Sequence, residues 1–304
     1  MGIRAVAQVL ALILLAPLAQ GLIQRVKAGL QGRHGPGPLQ PYFTLAKLWR
    51  RQDLRPEGAS GLFAAAPALA LGCVLASALS VPLLWLGVGL AFAGGFVLTV
   101  GFLALERFVL SLAALDTATP FGGLGSSREM TVGALVEPAL FALAMPWMAA
   151  AGSTAWPALV AASASAAPTG VVRFLGLAAA LIVALAESGR LPVDNPDTHL
   201  ELTMIHEALL LEYSGPKLAL VSLAQMIKQL LILAVVADLL LPWGIAGASA
   251  GPLVVLGLWC VLALGLACAE SLSAKLRFFR LPSYLGTATV LASAAAVLQV
   301  WTVR

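Results

Sequence analysis

Apolar residues fill long uninterrupted stretches of this chain, and polar residues collect in the gaps between them. Crossing the hydrocarbon core of a bilayer as a helix takes about 20 mostly apolar residues. Eight stretches meet that length, at roughly 4–25, 62–82, 94–115, 130–151, 170–187, 217–241, 252–270 and 284–303. Strands of a membrane barrel would alternate apolar and polar positions, and these stretches do not. The pattern predicts an all-α, polytopic integral membrane protein of about eight transmembrane helices, forming a single membrane domain over 1–304.

The polar gaps carry their own local signals. Gly32 to Pro41 is rich in glycine and proline and cannot hold a regular helix. Tyr42 to Arg51 then mixes Phe43, Leu45, Leu48 and Trp49 with Lys47, Arg50 and Arg51. That mixture predicts a short amphipathic helix on the cytoplasmic side, lying at the membrane surface, or else a merely basic loop. Asp116 to Glu129 contains F-G-G-L-G-S-S-R, which lacks the spacing and the preceding strand of a dinucleotide fingerprint. Its glycines are expected to permit a tight turn between helices. Pro192 and Pro196 break the chain after the fifth span, and Asp197 or Thr198 can cap a new helix running to about Tyr213. Gly215-Pro216 ends it and starts the sixth span.

Composition agrees with a membrane protein: 60% of residues are hydrophobic and 11% charged, against about 25% charged in soluble domains. The net charge of +4 matters less than its placement. Thirteen of the 18 basic residues fall in the gaps after spans one, three, five and seven, and none in the gaps after spans two, four and six. The positive-inside rule makes the basic gaps cytoplasmic and puts both termini on the outer side. The basic pI of 9.2 therefore reflects topology, not nucleic-acid binding. Arg4 precedes an apolar run too long for a typical signal peptide, so the first span is expected to remain. Cys73, Cys260 and Cys268 lie in spans without C-x-x-C spacing and read as small buried residues, not as cluster ligands or disulfides.

Candidate chemistry rests on the acids. Six of the 14, Glu187, Asp194, Asp197, Glu201, Glu207 and Glu212, lie between 187 and 215. Ionisable groups inside spans cost at least about 2.5–3.5 kcal/mol when charged at mid-membrane, so each is a functional suspect. Glu137, followed by Pro138, sits inside the fourth span; Glu106 and Arg107 lie in the third, Lys228 and Asp238 in the sixth, and Glu187 at the inner end of the fifth. Carboxylates at graded depth suit a proton path, because burial and nearby cations push carboxyl protonation in opposite directions. Structural ion pairs are the blander alternative: Glu187 with Arg190, Glu106 with Arg107 or with another helix, Lys228 with an acid. On the acidic helix, Glu201 and Glu212 would share one face, as would His199 and His206. A metal site from those histidines would need ligands from elsewhere.

The run E-S-G-R-L-P-V-D-N-P-D-T-H-L-E-L-T-M-I-H-E-A-L-L-L-E-Y-S-G at 187–215 resembles a loop of the respiratory-chain NADH dehydrogenase subunit 1 family. Its D-N-P-D-T-H-L-E-L-T-M-I-H-E portion is similar to the hydrogenase branch, which holds the membrane subunits of formate hydrogenlyase and hydrogenase-4. Subunits of complex I itself tend to carry a different acidic run, and here Val193 replaces their usual Phe. R-V-K-A-G-L-Q-G-R-H-G-P-G-P-L-Q-P-Y at 25–42 and L-D-T-A-T-P-F-G-G-L-G-S-S-R-E at 115–129 also resemble family motifs, so the likeness spans essentially the whole chain.

The resemblance implies a non-catalytic subunit, multi-pass in the prokaryotic inner membrane, that anchors a redox arm and takes part in proton or sodium translocation. Glu137, Glu187, Glu201, Glu207, Glu212 and Lys228 would form the ion pathway. Asp116, Arg128, Arg190 and Asp194 would shape the docking face for the redox arm. Expected partners are the hydrogenase large and small subunits, an iron–sulfur subunit, antiporter-like membrane subunits and the lipid bilayer, with no nucleic acid. The nickel-iron centre and iron–sulfur clusters would reside in those partners and no cofactor in this chain. The alternative is the quinone-site membrane subunit of a complex I-like NADH:quinone oxidoreductase, with quinone bound only under that reading. A stand-alone transporter is disfavoured by the lack of an internal repeat and of paired broken spans.

Overall fold

The structure is a computed structural model that describes residues 2–84, 95–164, 169–194, 204–240 and 252–303. Within them every regular element is a helix: α1 Gly2–Leu30, α2 Gln40–Trp49, α3 Gly61–Ser80, α4 Gly95–Asp116, α5 Pro120–Ala151, α6 Trp156–Ala164, α7 Gly170–Glu187, α8 His206–Leu210, α9 Gly215–Leu240, α10 Pro252–Leu272 and α11 Leu281–Val303. Eight of these, all but α2, α6 and α8, are long and apolar enough to span a membrane, one for each predicted stretch. The protein is a multi-pass membrane protein.

Helix starts follow local chemistry. Ser60, Thr119 and Thr169 each turn a side-chain oxygen onto a backbone N–H of the first turn that has no helical partner. Gly152 closes α5 in the left-handed region, where a side chain would be strained. α9 is the centre of the bundle: 72% of its apolar window is buried, against 28% for α10 and for the last span. Lipid tails are as apolar as leucine, so the bundle is held by close packing and by polar contacts between helices.

Three expectations change. A tight turn does join α4 to α5, but its glycines do not make it, because α5 begins at Pro120 and absorbs them into its first turns. Those glycines permit close approach of other chain segments. A Cβ on Gly125 would lie 2.7 Å from the Ala208 Cβ and 3.2 Å from the Ile205 carbonyl oxygen, so only glycine lets the α8 segment rest on α5. The acidic helix expected from 197 to 213 contains, among the described residues, only the five-residue α8; residues 195–203, which include Asp197, His199 and Glu201, lie outside the described residues. The amphipathic segment is a helix, α2, and this settles the choice between helix and basic loop. Its Tyr42 hydroxyl donates to the Leu14 carbonyl of α1 while Phe43 and Trp49 stay exposed.

The E-Y-S-G end of the acidic loop has a packing role. The Tyr213 ring stacks on Phe63 at 4.2 Å between centroids, and its hydroxyl donates to the Phe63 carbonyl at 3.1 Å. Burial pushes the Tyr213 hydroxyl pKa well above its ordinary value. Ser214 exchanges hydrogen bonds with the Leu54 backbone, donating to its carbonyl and accepting from its N–H. The start of α9 is thereby fastened to the loop that follows α2.

Candidate functional site: a buried charge cluster

α4, α5, α7 and α9 meet around Arg107, which is only 4% exposed. Its guanidinium contacts three carboxylates: Glu129 from Nε at 3.3 Å, Glu137 from Nη1 at 2.9 Å and Glu187 from Nη2 at 2.6 Å. Lys228 on α9 holds the other Glu187 oxygen at 3.1 Å and Glu106 at 3.0 Å. Glu187 is therefore shared between cations of two helices. Gly133 makes room for the hub, since a Cβ there would lie 2.7 Å from both Cδ and Nη1 of Arg107.

The balance of charge decides what this cluster can do. Four carboxylates face two cations. Burying a charge without a partner costs several kcal/mol, so excess carboxylates in such a site take up protons or recruit a further cation. A proton bound here belongs to the coupled group and can move within it. Glu137 is the open edge, with 37% of its side chain exposed, whereas Glu187 is sealed.

A second buried network lies beside the first. Glu270 on α10, 0% exposed, accepts from Lys27 of α1 at 2.7 Å and from Arg190 at 2.6 Å. Arg190 also donates to Gln20 at 2.5 Å and to Gln229 at 3.1 Å. Lys228 and Gln229 are adjacent on α9, about 100° apart around its axis, so one helix presents a side chain to each network.

Between the networks is a polar cavity of about 160 Å³, lined by Gln20, Arg190, Asp194, His206, Glu207 and Gln225 among others. It has room for several waters, each needing only about 10–15 Å³ of such space. His206 faces both ways: its Nδ1 is 3.7 Å from the Glu129 carboxylate and its Nε2 contacts the Gln225 side chain. Burial alone would lower the His206 pKa, but the facing Glu129 carboxylate outweighs it and holds the imidazole above its ordinary value.

The sequence-derived candidates thus separate. Glu137, Glu187 and Lys228 come together in the Arg107 cluster. Glu207 lines the polar cavity. Glu212 is half-buried at the loop that follows α8, outside the ion pairs of the cluster, and Glu201 lies outside the described residues. Asp116 accepts from the Ser60 N–H at 2.8 Å. Arg128 donates to the Met204 carbonyl at 3.0 Å and lies over the Phe278 ring. Asp194 accepts from the N–H groups of Ile205 and His206 at 3.1 and 3.0 Å and binds Lys275 at 3.0 Å. Arg128, Arg190 and Asp194 therefore hold loops together at one end of the bundle.

One suggested ion pair is corrected: Glu187 pairs with Arg107 and Lys228 and not Arg190, whereas Glu106 pairs with Lys228 of another helix, the second of the two partners expected for it. Neighbouring residues on a helix point about 100° apart, and α7 ends at Glu187 before Arg190 can share its face. Sequence reasoning flagged Arg107 as an ionisable group within a span but gave it no place in the pathway, and it passed over Glu129, Glu270 and Lys27 altogether. Those three are ionisable groups in or at the ends of apolar runs, the signal that would have found them. Asp238, also buried on α9, belongs to neither network and has one oxygen without a hydrogen bond among the described residues. No group of three or more His, Cys, Asp or Glu residues among the described residues is arranged to hold a metal ion.

Eight membrane helices around a cluster of charged side chains define a polytopic membrane protein. The chain belongs to the NADH dehydrogenase subunit 1 family: its sequence matches the family described as NADH dehydrogenase over residues 3–301. It is 33% identical over 240 residues to hydrogenase-4 component C of Escherichia coli, covering 79% of this chain and 75% of that protein. It is 32% identical over 249 residues to formate hydrogenlyase subunit 4 of the same organism, covering 78% and 76%. With an NADH-quinone oxidoreductase subunit of Rhodopseudomonas palustris it shares 28% over 244 residues, covering 77% and 74%. Its fold superimposes on a chain of the membrane-bound sulfane sulfur reductase, an archaeal respiratory membrane complex. The TM-score is 0.84 at 18% identity, covering 98% of this chain and 100% of the other.

Proposed function

We propose that this protein is the membrane subunit of a hydrogenase-type or formate hydrogenlyase-type complex, anchoring a cytoplasmic redox arm and carrying ions through the Arg107 cluster. The observation that carries the reading is the cluster itself: four carboxylates, three of them buried, and two buried cations where four membrane helices meet. Kinship with hydrogenase-4 component C and formate hydrogenlyase subunit 4 supports the hydrogenase assignment. Under it, the nickel-iron centre and the iron–sulfur clusters belong to the large, small and iron–sulfur partner subunits, and antiporter-like subunits adjoin this chain in the membrane. The chain sits in a prokaryotic inner membrane with its termini on the outer side. Its cytoplasmic end, braced by Asp116, Arg128, Arg190 and Asp194, is the docking face.

Glu187→Gln tests the path. In the assembled complex it should leave hydrogen evolution running while ion translocation falls away. Assembly with full translocation would rule out a path through Glu187.

A second reading, a quinone-site subunit, is favoured by an apolar cavity of about 450 Å³ between α1, α9 and α10, lined by Leu15, Leu22, Leu230, Trp259 and Ala263 among others, and by the likeness to the NADH-quinone oxidoreductase subunit. A photoactivatable quinone labelling residues 20–60 or 187–230 in the active complex would establish it; an active complex without label would reject it.

A further inference from the structure

We propose that His206 is the proton relay between the polar cavity at the cytoplasmic end and the buried Arg107 cluster. The inference rests on the ion-path reading above and adds to it the group through which protons reach the carboxylates.

The geometry supplies each part of a relay. The imidazole is in the wall between two compartments: it lines the polar cavity, and its Nδ1 faces Glu129, which Arg107 ties to Glu137 and Glu187. At 3.7 Å the gap to Glu129 Oε2 is longer than a hydrogen bond, so a small rotation of the ring makes or breaks the connection. The far nitrogen, Nε2, touches the Gln225 amide, which also lines the cavity. An amide can hold the ring in place but cannot itself carry a proton at neutral pH. When Gln225 swings aside, Nε2 is left to cavity water.

The backbone under the ring is fixed. Asp194 accepts from the N–H groups of Ile205 and His206 and is itself held by Lys275. Gly189, with φ +57°, runs past the ring, where a Cβ would lie 3.6 Å from the His206 Cβ. A pinned main chain with a side chain only one rotation from its acceptor is the arrangement a relay requires.

The step balances without a co-reactant. Hydronium in the cavity gives a proton to Nε2 and becomes water; the imidazolium gives its Nδ1 proton to Glu129 Oε2; the neutral imidazole then exchanges tautomers through the cavity. The charged and titratable groups around the ring are Glu129 from α5, Glu106 from α4, Lys228 from α9, and Arg190, Asp194 and Glu207 at the cavity. Histidine is the side chain whose unperturbed titration falls nearest neutral pH, which suits repeated loading and release.

The test uses the intact complex in inverted membrane vesicles, with hydrogen evolution driven by reduced methyl viologen and lumen acidification read by a quenched acridine dye. His206→Gln, which keeps a hydrogen-bonding side chain but cannot titrate, should preserve hydrogen evolution and lower acidification per hydrogen by about a hundredfold. His206→Ala should behave likewise and be restored by added imidazole. His206→Gln that acidifies at the unmodified rate, alongside Glu187→Gln that does not, overturns the relay and leaves the path; both variants acidifying normally overturns the path as well.

If the variants fail to assemble, the unmodified complex decides. Carbethoxylation of His206 by diethyl pyrocarbonate, followed by mass spectrometry between about pH 5 and 9, should show it reactive and titrating. A histidine inert across that range has no contact with cavity water, and the relay is overturned.

Discussion

Arg107 organises the site because guanidinium can do what ammonium cannot: it offers donors in three directions from one rigid plane and keeps its charge at any physiological pH. Its three carboxylates come from two other helices. Arg107→Gln leaves those acids buried without their cation and should destabilise the protein by about 3–5 kcal/mol, read as a lowered unfolding temperature in detergent. Gly133→Ala should displace the same guanidinium without touching any charge, and so reduce translocation while the charged groups remain. His206 adds a pH dependence with a definite sign. Its folded pKa is raised, so its contribution to stability is complete below about pH 6.5, the ordinary histidine value, and disappears as pH rises through the folded value. Tm measured across that window should fall with pH, and His206→Gln should flatten the slope.

At the scale of elements, the spans are legible in the sequence and their contacts are not. Eight apolar runs of sufficient length each correspond to a membrane helix, because nothing else satisfies the backbone in lipid. Partners on different helices leave no local trace: Lys228 and Glu106 are far apart in the chain, and only the bundle brings them together. The fourth apolar run starts only at 130, since the G-G-L-G-S-S-R-E stretch before it is too polar to look transmembrane; α5 carries that stretch as helix, and Glu129 with it. Proline and glycine in the acidic loop mark real breaks, but a helix beyond them presumes a continuity that tertiary bonds replace. Asp194, not a helical cap, ties down Ile205 and His206. Asp194→Ala should release that tie and speed hydrogen exchange at the two amides, while amides within α9 keep their protection.

For the whole molecule, charge placement predicts an orientation that can be measured directly. A C-terminal fusion to alkaline phosphatase should be active and one to green fluorescent protein dark, because both termini are expected outside. The reverse pair of results would turn the basic loops, and the docking face with them, to the other side. α9 joins the two buried networks through successive residues, Lys228 and Gln229, and its first turn follows loop residues packed on the 51–54 segment. A force that rotates α9 therefore disturbs both networks together, which in the proposed complex would give a docked redox arm a mechanical route to the membrane interior.

On the proposed path, the fixed positive charge of Arg107 would also act as a filter. A sodium ion passing between Glu129, Glu137 and Glu187 would have to shed its water beside a guanidinium that cannot lose its proton. A proton hopping from one carboxyl to the next never exists there as a free cation and meets no such barrier. Translocation through this cluster should therefore proceed at full rate in sodium-free medium, and adding sodium should neither speed it nor draw the metal into the vesicle lumen.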